Sequence, residues 1–291
     1  MERDFDLKRL QYTQLEIYKE IDIICKKYNI EYFATWGTAL GAIRHGGFIP
    51  WDDDIDISMR WNDFKRFEEV CKNELDERFF LQNSETDKYY WNPYSKIRLN
   101  NTTSMDKNLM HMKCHYGICM DIFPITPIPN LKLSKIKQKI LINIYKGLCY
   151  IPYVLYISPN DRSNKGEIIN RFLTSSIKGF LRKRLIGNRT VNKFKKYLAR
   201  EINKYDFNNC DYCGEILTGP YDRRVYKKEI FKESINIDFE NVSMPIPKEY
   251  HQYLSYIYGD YNKLPEESER CGHGDIIVDF EKSYIEYRID I

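Results

Sequence analysis

The sequence predicts an α/β (α+β) fold: a mixed sheet core with flanking helices, interrupted by a basic helical insertion. Three observations carry this. Apolar residues near the N-terminus recur at a helical period. Short aromatic and β-branched runs then alternate with helical patterns to about residue 128. Beyond that the composition changes, and it returns to a mixed pattern near residue 205. The expected division is a catalytic core over 1–128, the insertion over 129–204, and a C-terminal part over 205–291 that completes the core.

Residues 5–28 place Leu7, Leu10, Ile17, Ile21, Ile24, Cys25 and Tyr28 on one helical face, with Asn29 as the stop. "IEYFAT" (30–35) is short, aromatic and bounded, and so reads as a strand. "TALGAIRH" follows as a short helix with Thr38 near its N-cap and Gly46-Gly47 beyond its end. An acidic strand comes next, then a helix over about 61–78 with Phe64, Phe67, Val70, Cys71 and Leu75 inward. "YYWNPYSKIRL" and "GICMDIFPI" read as further strands. From Pro127 to Asn160 there is no acid, and from Lys178 to Lys204 ten Lys/Arg face a single acid, Glu201. That stretch is the helical insertion.

The formal charge of +3 over 291 residues does not call for nucleic acid. Eight scattered cysteines in a chain of this length read as reduced, mostly buried thiols. The charged, helical start is not a signal peptide, and no apolar run is long enough to span a bilayer. The expected setting is the cytoplasm.

The informative stretch is "GGFIPWDDDIDISM" (46–59), which sets Asp52, Asp53, Asp54 and Asp56 among Ile49, Trp51, Ile55 and Ile57. In extended chain, side chains alternate, so Asp54 and Asp56 share one face and the isoleucines the other. Two carboxylates at that spacing repel when ionised, and a divalent cation relieves the repulsion; Mg²⁺ commonly takes one or two carboxylates plus substrate phosphates. The plainer reading is a solvated acidic turn. Upstream, Gly37-Thr38 at a strand-to-helix turn offers backbone N–H groups and a helix dipole to an anion, against the alternative of an ordinary cap. Asp121 in "CMDIFP" is the third candidate carboxylate, or else a buried acid paired with a cation. Lys96 and Arg98 alternate on one strand face toward a phosphate, or toward solvent. Arg44 ends the short helix, where the dipole alone favours a cation.

These residues resemble a known family. "WGTALGAIRHGGFIPWDDDIDISM", "MDIFPI" and "MPIPKEYHQYLSYIYGDYNKLPEESERCGH" are similar, in order, to the signature blocks of the LicD family, to which fukutin and fukutin-related protein are related. The resemblance spans about 15–128 and 235–275 and leaves 129–205 unmatched. It implies a nucleotidyltransferase-like fold and a phosphotransferase using a CDP-activated alcohol with Mg²⁺, or Mn²⁺ in its place. The best-known members move phosphocholine from CDP-choline onto cell-surface glycans such as lipopolysaccharide, teichoic acid or capsule; others move ribitol or glycerol phosphate. CMP leaves. The implied metal carboxylates are Asp54, Asp56 and Asp121, with Asp52 joining them as a catalytic acid. Gly37 and Thr38 match the phosphate-loop pair, and Arg44, Lys96, Arg98, Arg270 and His273 complete the expected donor site.

Three further expectations follow. If the alcohol is choline, aromatic faces should meet its ammonium, with Tyr89, Tyr90, Trp91, Tyr94 and Trp51 as candidates. The basic, apolar middle suits peripheral contact with an anionic membrane on its cytoplasmic face, and a lipid-linked glycan acceptor. Cys210-x-x-Cys213 with Cys271 and His273 is a weak zinc pattern. The rival readings are a nucleotide-sugar glycosyltransferase using D-x-D, a nucleotidyltransferase that releases pyrophosphate, and a non-catalytic glycan-binding module.

Overall fold

A computed structural model describes residues 6–90, 92–110, 112–156, 175–185, 189–272 and 276–288. The first helix, α1 (Leu7–Tyr28), starts at Asp6, whose carboxylate accepts from the Arg9 N–H at 3.0 Å. It ends at Asn29 in the left-handed region, φ 51°. The strand expected over 30–35 is reduced to β1 (Phe33–Ala34). Helix α2 (Trp36–His45) begins two residues earlier than expected, so Thr35 is the N-cap and Thr38 lies inside the first turn; Gly46 (φ 65°) ends it. Strand β2 (Asp56–Arg60) leads into α3 (Trp61–Glu74), shorter than expected because Leu75 is already extended. Strands β3 (Phe79–Gln82), β4 (Ser95–Leu99), β5 (Thr103–Asp106) and the long β6 (Cys119–Ile128) complete the first half. Residues 89, 90 and 92–94 are irregular where a strand was expected: "NPY" breaks the ladder, since proline has no N–H to give.

The main sheet runs β1-β2-β6-β4-β3. The β2–β6 pair is parallel; β1–β2, β4–β6 and β3–β4 are antiparallel. One face carries Ile57, Met59, Ile97, Met120 and Ile122, all fully buried. It packs toward α1 and α3: Ser95 on that face donates to Glu68 of α3 at 2.9 Å. Each such aliphatic contributes about 1.5–3 kcal/mol by burial. The opposite face carries Asp56, Asp121 and Lys96, and it is this face that the site uses. Helix α1 also reaches the acidic loop through two buried amides. Gln11 donates to Asp52 O (2.8 Å), and Gln14 donates to Asp53 O (2.9 Å) and Cys119 O (3.2 Å).

The described part of 129–204 is helical, as expected: α4 (Lys132–Tyr156), α5 (Ser175–Leu185) and α6 (Arg189–Ile202). Ile142, Tyr145, Leu198 and Ile202 from these helices join the main hydrophobic core. The chain then adds β7 (Tyr212–Gly214) and β8 (Val225–Lys227) to the sheet, the former pairing with the distal half of β6. A hairpin, β9 (Ser234–Phe239) and β10 (Val242–Pro247), precedes α7 (Tyr250–Tyr258), and β11 (Ile276–Asp279) pairs with β5. At the hairpin turn, Glu240 N–H donates to Gly46 O (2.9 Å) and its carboxylate accepts from Phe48 N–H (3.2 Å), bracing the loop that carries the acids. All eight cysteines are free thiols, six of them buried. Among the described residues no helix is long and apolar enough to cross a membrane.

His115 is a half-buried neutral imidazole. Its ring stacks on Phe80 (centroids 4.9 Å, 9° between planes); Nδ1 accepts from Gly117 N–H (3.1 Å), so Nε2 donates to Asn100 Oδ1 (2.9 Å). Burial, reinforced by the charges of Arg98 and Arg288, pushes its pKa down to about 3. The unfolded chain binds the proton more readily, so His115 contributes stability above about pH 6.5 that is lost progressively as pH falls toward 3. Urea unfolding of wild type and His115→Gln across this window should show a steeper acid loss in the wild type; parallel curves would refute a half-buried neutral imidazole.

Candidate active site

The acidic loop and β2 place three carboxylates at one cleft. Asp52, Asp54 and Asp56 line a cavity of about 790 Å³ together with Trp36, Gly37, Arg44 and Trp51. The alternation expected from the sequence brings Asp54 and Asp56 to the same side. The sheet register then sets Asp121 directly beside Asp56, and Lys96 directly beside Asp121. Lys96 Nζ is 2.5 Å from Asp121 Oδ1. Both Asp121 and Lys96 are thus engaged with each other just behind the cleft wall formed by Tyr94 and Phe123.

The charge here is unbalanced. Burial and the neighbouring Asp54, Asp121 and Asp52 push the Asp56 carboxyl well above the usual carboxylate range, and Lys96 only partly opposes them. Burial works against the Lys96 charge too, but Asp121, Cys119 and Tyr94 outweigh it and hold the ammonium strongly protonated. This excess of negative charge around one point is what a divalent cation relieves. Among the described residues no three carboxylate, histidine or cysteine groups form a finished metal cage. The carboxylates therefore fit a cation that takes only part of its shell from protein, as Mg²⁺ does when phosphates supply the rest.

The start of α2 borders the acids. A β-carbon at Gly37 would lie 2.5 Å from Asp52 Oδ2, so only glycine lets the carboxylate approach the positive end of the helix. The Thr38 side chain is buried, and its Oγ1 accepts from the Asp56 N–H at 2.8 Å, which holds β2 against α2. Arg98 is corrected. It is buried, its Nε donates to Gln82 Oε1 and its Nη1 to Gly117 O, both at 2.7 Å, and it does not reach the cleft.

Arg44 lines the cleft and donates from Nη1 to Tyr261 O at 3.0 Å, tying α2 to the loop after α7. Arg270 donates to Pro265 O (3.0 Å) and lies over Trp51 at 5.4 Å. His273 and Trp91 fall outside the described residues. Of the expected aromatic cluster, Tyr94 and Trp51 line the cleft and Tyr90 is buried. The zinc pattern finds no support among the described residues: Cys210 and Cys213 are buried, and Cys271 is exposed at the cleft.

Several lining residues were not picked out individually in the sequence. Tyr258, Asp260, Tyr261, Glu266 and Glu269, all within the C-terminal block that resembles the family, line the same cleft. Arg224 and Thr218 form another wall. Burial and the charges of Asp56, Asp52 and Asp54 push the Tyr258 hydroxyl up, while Arg224 pulls it down. That hydroxyl stands within the fields of both the acids and the arginine. Trp36, at the first position of α2, has φ 50°, a left-handed conformation that costs a bulky residue about 1–3 kcal/mol.

Comparison with known proteins agrees with this geometry. Residues 29–134 match the family described as "LicD/FKTN/FKRP, nucleotidyltransferase domain". Over 272 residues the chain is 30% identical to the lipopolysaccharide cholinephosphotransferase LicD of Haemophilus influenzae, covering 92% of this chain and 95% of that one. It is 40% identical over 73 residues to an uncharacterised protein of Rickettsia typhi, about a quarter of each (23% and 24%). A Rickettsia prowazekii protein, also uncharacterised, is 26% identical over 136 residues, 40% of this chain and 51% of its own. The first of these matches runs through the helical stretch that the sequence motifs left unmatched, and on its extent the chain belongs to the LicD family.

Proposed function

We propose that this LicD-family enzyme transfers phosphocholine from CDP-choline to a hydroxyl of a cell-surface glycan and releases CMP. One observation carries the choice of donor. The cleft that holds Asp52, Asp54 and Asp56 is also lined by Trp51, Tyr94, Tyr258 and Tyr261 with Asp260, Glu266 and Glu269. A quaternary ammonium gains from aromatic faces, each worth about 0.5–2 kcal/mol, and from the charge of nearby carboxylates. A neutral polyol such as ribitol or glycerol can hydrogen-bond to the carboxylates but gains neither the cation–π term nor the charge attraction. Kinship to a lipopolysaccharide cholinephosphotransferase supports choline phosphate as the transferred group and a related glycan as acceptor.

In this reading Asp54 and Asp56 hold Mg²⁺, or Mn²⁺, with Asp121 beside them. Bound there, the ion supplies charge neutralisation for the phosphate oxygens. The acceptor hydroxyl oxygen attacks the phosphorus that bears choline. A new P–O bond forms, the diphosphate bridge breaks, and the bridging oxygen leaves with CMP. The hydroxyl proton passes to a carboxylate. Asp52 suits this better than Asp121, because Asp121 is already paired with Lys96. Arg44 and the start of α2 border the donor, and the rigid β2–β6–β4 register keeps the reacting groups in place.

The acceptor side of the proposal rests on the helical stretch. Along α4, Leu133, Ile136, Ile140 and Ile144 project at helical spacing and are 83%, 46%, 53% and 48% exposed, with Phe180 of α5 at 62%. The surrounding sequence is rich in lysine and arginine. We take this face to rest on an anionic membrane on the cytoplasmic side, where a lipid-linked glycan would be presented.

Three measurements check these statements. Asp54→Asn should keep the wild-type melting temperature within a few degrees and lose CMP release by about 10²-fold or more; normal turnover would remove the acids from the reaction. In a thermal-shift panel with Mg²⁺ or EDTA, CDP-choline at a hundred times its Kd should stabilise by about 2.7 kcal/mol, more than CDP-ribitol or CDP-glycerol at the same concentration. A response to UDP-glucose alone would select the glycosyltransferase reading. Sedimentation with phosphatidylglycerol vesicles should carry the wild type down and leave Ile136→Asp/Ile140→Asp in solution; equal behaviour of the two would end the membrane assignment.

A further inference from the structure

Arg224 belongs to no motif and has no assigned role, yet its surroundings are built with care. Its guanidinium carbon lies 3.4 Å from the centroid of the Trp36 ring, a close flat stack. On another side Gly219 leaves just enough room: a β-carbon there would lie 2.6 Å from Arg224 Nε. Behind it sits Glu215, which is fully buried. That carboxylate accepts from the Ser58 hydroxyl and from Tyr226 OH (3.2 Å), and Arg224 Nη1 stands 4.0 Å from its Oε2. The Arg224 side chain keeps 25% of its surface exposed, and both it and Trp36 line the cleft that holds Asp52, Asp54 and Asp56.

Trp36 itself is held in a strained backbone conformation, φ 50°, with its N–H donating to Tyr253 OH at 3.3 Å and its ring against the edge of the Tyr253 ring. Strain of this kind persists only where the surroundings over-determine it, and here its result is an indole plane laid under a guanidinium at the cleft wall. Arginine has five N–H donors in a rigid plane. A single carboxylate at 4.0 Å does not use them, and the remaining donors face a cavity otherwise dominated by carboxylates.

We propose that Arg224, stacked on Trp36 and oriented by Glu215, binds the diphosphate oxygens of the donor in the cleft it shares with Asp52, Asp54 and Asp56. The inference rests on the reading of this cleft as a nucleotide-diphosphate site. The competing role is purely structural: Arg224 would serve only to balance the buried Glu215.

Calorimetric titration of CDP in Mg²⁺ separates the two. The variants are Arg224→Gln, Glu215→Gln, their double mutant, and Arg224→Lys, each checked for folding by its melting curve. The double mutant removes both charges and so leaves no unpaired buried carboxylate. CDP affinity should fall about tenfold or more in Arg224→Gln and in the double mutant, and stay within about threefold of wild type in Glu215→Gln. Arg224→Lys keeps Glu215 balanced but loses the planar stack, and should bind CDP severalfold more weakly than wild type. Wild-type CDP affinity in the double mutant, or in Arg224→Lys should the double mutant fail to fold, overturns the assignment and leaves the donor reading standing. Absence of CDP binding by the wild-type chain overturns the donor reading and this inference together.

Discussion

The crowding of like charge on two adjacent strands and the loop before them, opposed by one lysine on a third, is the constraint from which the rest of the site follows. Asp56, Asp121 and Lys96 stand side by side because β2, β6 and β4 pair in one register, and a shift of one residue in any pair would turn a carboxylate into the helix-facing core. The isoleucines and methionines on the other face prevent that shift. They bury completely only in the observed register. The apolar face thus stabilises an arrangement that electrostatics alone would disperse, and Lys96 neutralises only part of the repulsion. The fold holds a charge imbalance in place, one that a divalent cation with phosphates would resolve in the proposed reading.

The cleft around that imbalance is assembled from distant parts of the chain. The acids come from a loop braced by Gln11 and Gln14 on one side and by the β9–β10 turn on the other. The helix start at Trp36 and Gly37 closes over Asp52. Thr218 and Arg224 come from the segment after the helices, and Tyr258 to Glu269 from the last helix and the loop beyond it. Each wall is tied to another by a named contact, such as Arg44 to Tyr261 or Trp36 to Tyr253. A small rearrangement at one wall is therefore felt at the acids.

The acids themselves were legible in the sequence because alternation along an extended chain is a local rule. Asp54 and Asp56 share a face for reasons contained in five residues. The stop of α1 at Asn29 was legible for an equally local reason. Thr38 was misread because an N-cap and a first-turn residue look alike when the helix start is uncertain by two positions; its hydroxyl meets Asp56 N–H only in three dimensions. Arg98 sits at the same spacing from Lys96 as a cleft residue would, but its partners, Gln82 and Gly117, come from a neighbouring strand and a loop. Arg224 and Glu215 were invisible because nothing near them in sequence marks them. They matter through partners far away along the chain.

The strand β6 has a double allegiance. Its first half pairs with β2 and β4; its second half pairs with β7, with Ile128 opposite Tyr212. Residues 129–211 are thus the connection of an antiparallel hairpin, and its described residues include three helices. Both ends of that connection are anchored within one ladder, so its length and content can change over evolutionary time without moving the acids at the other end of β6. Relatives that share the chemistry but serve different acceptors have a place to vary: an exchangeable cassette at the tip of a hairpin whose base is fixed by the reaction.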